Sequence, residues 1–149
     1  MKKAVFLIVF CASTVMVFAQ TNNLRRYPPN SVQRSWQRDY PNYNYNNNDE
    51  PWEWRNNRWH RRFRDRNNND RNIDVYYDRS GRRLYSMSDW NRDDLPVRVR
   101  ERIRARYRAD NYNVYRIERP GRGFYFQITL GNNRRIYLDD RGREVRHYY

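Results

Sequence analysis

Cysteine is almost absent. The one cysteine of 149 residues, Cys11, sits in an apolar leader. Disulfide scaffolds, thiol catalysis and cysteine-ligated metal centres are therefore excluded. Lysine is nearly absent too: Lys2 and Lys3 are the only two, so the other 29 of the 31 basic residues are arginine. Histidine occurs twice, as His60 and His147. Neither HExxH nor GxSxG is present, and no phosphate-binding glycine loop or GxGxxG occurs. Ser80, Ser86 and Ser88 have no histidine near them in sequence, and Asp93-Asp94 reads as a helix cap rather than as a general acid. Too few oxygen ligands surround Asp139-Asp140 for a calcium loop. No enzyme, cofactor or metal site is expected.

Aliphatic residues are scarce over much of the chain. Between Thr21 and Asn72 only Leu24 and Val32 are aliphatic, amid Asn, Arg, Tyr and Trp. Residues 20–72 are expected to form a disordered or loosely ordered low-complexity arm. One piece of it, "EPWEWRNNRWHRRFRDR", places Trp52, Trp59 and Phe63 at helical spacing behind Pro51 and Glu53. It could lie on a membrane surface, stack on bases or sugars, or pack on the domain that follows.

The leader itself is informative. Lys2-Lys3, the apolar run Ala4 to Phe18 and the small-residue site ending at Ala19 form a secretory signal, with cleavage expected after Ala19. The run is shorter than the ~20 residues that span a bilayer, and bulky Phe10 argues against lipid attachment at Cys11. The expected location is periplasmic or secreted, with no membrane-spanning segment left after cleavage. Without the leader the chain carries 29 arginines against 17 acidic residues, a net +12. Arginine keeps its charge, forks onto carboxylate and phosphate and stacks on rings; at 17% of the chain, aromatics supply the rings.

From Ile73 the pattern becomes globular, and residues 73–149 are expected to form one domain. "VYYDRSGRRL" (Val75 to Leu84) aligns with "IYLDDRGREV" (Ile136 to Val145), each a hairpin whose Asp opens and Gly closes a four-residue turn. "YNVYRIER" and "GFYFQITL" between them read as strands. The stretch from Pro96 to Asp110 has arginine at 98, 100, 102, 104, 106 and 108. That alternation suggests a strand. Ala and Arg favour helix, however, and Leu95, Val99, Ile103 and Tyr107 form one stripe at ~100° per residue. A helix from about Leu95 to Arg108 is expected, capped by Asp93-Asp94.

The predicted fold class is α+β: an antiparallel sheet with one helix on one face, in the order β-β-α-β-β-β, preceded by the arm. Val75, Tyr77, Phe124, Phe126, Ile128, Leu130, Ile136, Leu138 and Val145 would face the helix. Tyr76, Tyr125, Gln127, Thr129, Arg135, Tyr137, Arg146 and Tyr148 would face away and form a candidate binding platform, since Tyr and Arg are typical of interface hot spots.

"DLPVRVRERIRARY" followed by "VYRIERPGRGFYFQITLGNNRRIYLDDRGREV" resembles the PepSY-like, β-lactamase-inhibitor-like (BLIP-like) repeats of exported bacterial proteins. The matching residues are Leu95-Pro96, Ile103, Tyr107, Ile117, Tyr125, Ile128, Leu130, Gly131, Leu138, Asp139 and Gly142. The usual Tyr-Pro after the helix is Tyr107-Arg108 here. The resemblance implies a non-enzymatic binding or inhibitory module engaging an unknown protein or peptide. The alternative is an envelope protein that binds anionic polymers: lipopolysaccharide, acidic glycan or nucleic acid.

Overall fold

The structure, a computed structural model, describes residues 27–43, 51–65 and 70–146. Helix α1 (Asn30–Asp39) leads into β1 (Glu53–Arg55), β2 (Arg58–Asp65), β3 (Arg71–Tyr77) and β4 (Arg83–Trp90). Helix α2 (Val97–Arg102) continues as a wider π-type segment (Ile103–Tyr107), followed by β5 (Tyr112–Arg119), β6 (Gly123–Leu130) and β7 (Arg135–Leu138). The seven strands form one antiparallel meander in chain order. The expected α+β architecture is present, and the arginine-rich alternation is helical.

The fold uses one unit twice. Pro29 and Pro96 flank the two helix starts with φ −53° and −52°. Val32, Trp36 and Tyr40 on α1 match Val99, Ile103 and Tyr107 on α2 at four-residue steps, so each helix aims one stripe at the sheet. Each unit closes on an Asp-x-x-Gly turn. The Gly81 and Gly142 amides donate to the Asp78 and Asp139 carbonyls at 3.2 and 3.0 Å. The Asp78 carboxylate also accepts from the Ser80 and Arg82 amides, as Asp139 does from Arg141 and Arg143. Both glycines have positive φ, +88° and +76°, and both abut the first turn of their helix. A Cβ would stand 2.6 Å from the Ser31 carbonyl oxygen at Gly81 and 2.8 Å from that of Arg98 at Gly142.

Each helix covers its own core on the same face of the sheet. Val99 and Ile103 pack with Leu95, Val114, Phe126, Ile128, Leu130, Ile136 and Leu138. Val32 and Trp36 pack with Trp59, Phe63, Ile73, Val75 and Tyr77. The second core is largely aromatic: Trp36 meets Phe63, Trp52 and Tyr43 edge-on. Arg61 is buried with them, its guanidinium 4.7 Å from the Trp36 ring centre.

Several expectations are corrected. Residues 30–39, 53–55 and 58–65 of the expected arm are α1, β1 and β2, and the sheet runs without a break across β2 and β3. Aromatic rings and an arginine stem bury the surface that aliphatics were expected to bury. The Trp52–Phe63 stretch is a hairpin rather than a helix. Asn56 and Asn57 have φ of +47° and +61°, the two-residue turn that twists strands correctly. Val75 and Tyr77 face α1 rather than α2. Phe124 is 38% exposed, and beyond Asp139–Gly142 the second hairpin is, among the described residues, a single Leu138–Glu144 bridge. No acidic side chain caps α2; Asp94 instead binds Arg71 at 2.8 Å.

Candidate functional site on the open sheet face

Both helices lie on one side, so the other side of the sheet is left open among the described residues. Strand alternation decides what it carries. Arg58, His60 and Arg62 of β2, Asp74 and Tyr76 of β3, and Tyr85 and Met87 of β4 point there, as do Tyr115 and Ile117 of β5, Gln127 and Thr129 of β6 and Arg135 of β7. All of these but His60 and Asp74 line a groove of about 660 Å³, together with Arg55 and Asn56 of the β1–β2 hairpin. The lining holds four arginines and no carboxylate.

Of the residues expected on this platform, Tyr76, Gln127, Thr129 and Arg135 line the groove. Tyr125 and Tyr137 share the face but pack against one another, ring centres 6.0 Å apart, outside the groove lining. Arg146 is exposed beyond the last bridge, and Tyr148 lies outside the described residues.

Along β2–β4 the face is built on a buried polar network. His60 Nε2 and Asp74 Oδ1 are 2.6 Å apart, and both side chains are nearly fully buried. Arg62 donates to both Asp74 oxygens, Nε to Oδ1 at 3.0 Å and Nη2 to Oδ2 at 2.9 Å. His60 Nδ1 lies 3.5 Å from Glu53 Oε2 of β1. Burial alone would raise the Asp74 carboxyl, but the hydrogen bonds from His60 and Arg62 prevail and hold it below its ordinary value. Asp74 is therefore ionised beneath the groove, its charge matched by the Arg62 guanidinium. On it rests a ring ladder: His60 and Tyr76 centre to centre at 4.8 Å, then Tyr76 stacked on Tyr85 at 4.5 Å. Burial first, then the Asp74 and Tyr85 charges, pushes the Tyr76 hydroxyl up to about 12. It remains a neutral hydroxyl at any physiological pH. The Arg58 guanidinium donates to the Tyr85 hydroxyl at 3.1 Å.

His60–Asp74 is the geometry of half a catalytic triad, yet both ring nitrogens face carboxylates and no hydroxyl nucleophile bonds the ring among the described residues. The arrangement links β1, β2 and β3 to one another. Sequence reasoning missed Arg55, Arg58, Arg62, Asp74, Tyr85 and Tyr115. The alternation in "NIDVYY" marks Asp74 and Tyr76 as one face, and Asn56-Asn57 marks the hairpin that brings in Arg55.

No family model matches the chain, and no curated protein matches it significantly. Solved structures do. A BLIP-like protein of Bacteroides fragilis superposes with TM-score 0.67 at 18% identity, covering 81% of this chain and 85% of that one. A DUF2874 family protein of Bacteroides ovatus gives 0.68 at 19%, covering 81% and 86%. A candidate periplasmic protein of Bacteroides eggerthii gives 0.67 at 20%, covering 81% and 88%. The fold is BLIP-like. The BLIP-like fold takes in α1, β1 and β2, since 81% of the chain exceeds what residues 73–149 alone provide.

Proposed function

We propose that this chain is an exported, non-enzymatic binding module of the PepSY-like, BLIP-like kind, whose open sheet face takes an acidic segment of a protein or peptide. The observation that carries the reading is the groove itself: tyrosines and four arginines around about 660 Å³ with no carboxylate in the lining, Arg62 and Arg55 being anchored from outside it by Asp74 and Glu53. Arginine forks fit carboxylates in pairs, and the tyrosine rings offer rigid apolar contact between them. The buried Gln127 and Ile117 give the floor a fixed shape. Export is supported by the Lys2-to-Ala19 leader and by the candidate periplasmic protein of the same fold. No helix among the described residues is long and apolar enough to cross a membrane.

The test is a selection of displayed peptides against the purified protein, read out by calorimetry. Acid-rich peptides are expected to emerge. They should lose at least tenfold in affinity to the variant Arg55→Glu plus Arg135→Glu, because each lost ion-assisted hydrogen bond is worth about tenfold. Selected peptides that bind this variant as well as the parent would remove the groove as the site.

A further inference from the structure

A second concavity opens where the groove runs out toward the turns joining β3 to β4 and β5 to β6. Its volume is about 390 Å³, and Arg58, Arg82, Arg83, Arg119 and Arg122 line it with Leu84, Tyr85 and Pro120. Five arginines line it without one carboxylate. We propose that this pocket binds an ester oxyanion, a phosphate or sulfate group carried on a sugar.

Like charges gathered at one place repel, and arginine cannot relieve the repulsion by losing its proton. Neighbouring carboxylates relieve it only in part. Arg82 pairs with Asp78, Arg83 approaches Asp39 at 3.8 Å and shares a hydrogen bond with the Tyr40 side chain, and Arg58 donates to the Tyr85 hydroxyl. Neither Arg119 nor Arg122 has an ion-pair partner among the described residues. The Nε atoms of Arg83 and Arg119 are buried without a hydrogen-bond acceptor. A buried donor left unmade is costly, and an oxyanion is the group that would satisfy it. Arg119 is held in place, its guanidinium 5.8 Å from the Tyr125 ring centre. A tetrahedral oxyanion offers acceptors to several forks at once. Pro120, exposed at the β5–β6 turn, offers apolar surface for a sugar ring.

Net charge alone would attract any polyanion, so the test separates place from charge. The probes are inorganic pyrophosphate, a sulfated heparin tetrasaccharide and trigalacturonate, whose charges are all carboxylates. Calorimetry of the purified protein should show saturable one-to-one binding of pyrophosphate, the tetrasaccharide or both; which of them binds tells phosphate from sulfate. Arg119→Gln plus Arg122→Gln should weaken that binding at least tenfold. Arg98→Gln plus Arg104→Gln, which removes the same charge from the exposed side of α2 and its π-type continuation, should change it less than twofold. Arg122→Gln alone, at an exposed turn, should still weaken binding severalfold with the melting temperature unchanged. Equal weakening by both pairs, absence of saturable binding, or trigalacturonate binding as tightly as the esters would overturn the proposal. None of these variants touches Arg55 or Arg135, so the peptide-binding reading stands or falls separately.

Discussion

Single residues fix where each helix meets the sheet. Gly81 and Gly142 do so by having no side chain: each needs positive φ and each lies against a helix carbonyl. Gly121 provides the control. Its φ is +70°, yet nothing lies within 4 Å of where its Cβ would be. Alanine at either position meets the left-handed backbone cost of about 1–2 kcal/mol. At Gly142 alone the Cβ also collides with the Arg98 carbonyl, which must shift, and overpacking costs typically about 1–3 kcal/mol. Urea unfolding should therefore show Gly142→Ala less stable than Gly121→Ala by that second amount. Equal losses would mean that the turn moves off the helix freely. The Asp and Gly of both turns and the helix α2 were legible from sequence; the closure of the Gly142 turn on that helix was not, because spacing along the chain does not report a contact 44 residues away.

At the scale of elements, the first three strands are cross-linked on the open face. Glu53 of β1, His60 and Arg62 of β2 and Asp74 of β3 form one chain of contacts. Asp74 is held below its ordinary value, so it binds fewer protons in the folded state than in the unfolded state. Its contribution is present above the ordinary carboxylate range and is lost as pH falls through its lowered value. Asp74→Asn removes that contribution. The stability gap between parent and Asp74→Asn should be wide at pH 7 and should narrow as pH drops below about 4. A gap constant from pH 7 to pH 3 would show that the carboxylate charge does not hold the strands. This element was unreadable from helical spacing, since Trp52, Trp59 and Phe63 fit a helix as well as they fit alternate positions of a hairpin. Asn56-Asn57 was the deciding signal, because consecutive residues that tolerate positive φ make the two-residue turn. Helix α1 was missed for another reason: its stripe is Val32, Trp36 and Tyr40, and aliphatic counting passes over aromatic cores.

At the scale of the whole molecule, the duplicated unit makes α1, β1 and β2 part of the fold. The strands from Ile73 onward contain a recognisable unit with its own helix and core, and sequence reading stopped there. The structure shows what that boundary would expose. Ile73, Val75 and Tyr77 of β3 are 8%, 0% and 0% exposed, covered by α1, Trp59 and Phe63. Uncovering three such side chains costs about 1.5–3 kcal/mol each. That approaches the ~5–15 kcal/mol by which ordinary domains are stable. It also turns β3 into an unpaired edge, a ready template for association. A chain beginning at Ile73 should therefore melt at markedly lower temperature than the full chain, bind a hydrophobic dye and self-associate. Adding the missing residues 20–72 in trans should not restore it at micromolar concentration, since α1, β1 and β2 would have to fold and dock together. A fragment from Ile73 that melts cooperatively at the parent temperature and stays monomeric would show that the second unit is autonomous. The first would then be an appendage carrying half of the open face, and the groove between Arg55 and Arg135 would belong to two separable parts rather than one.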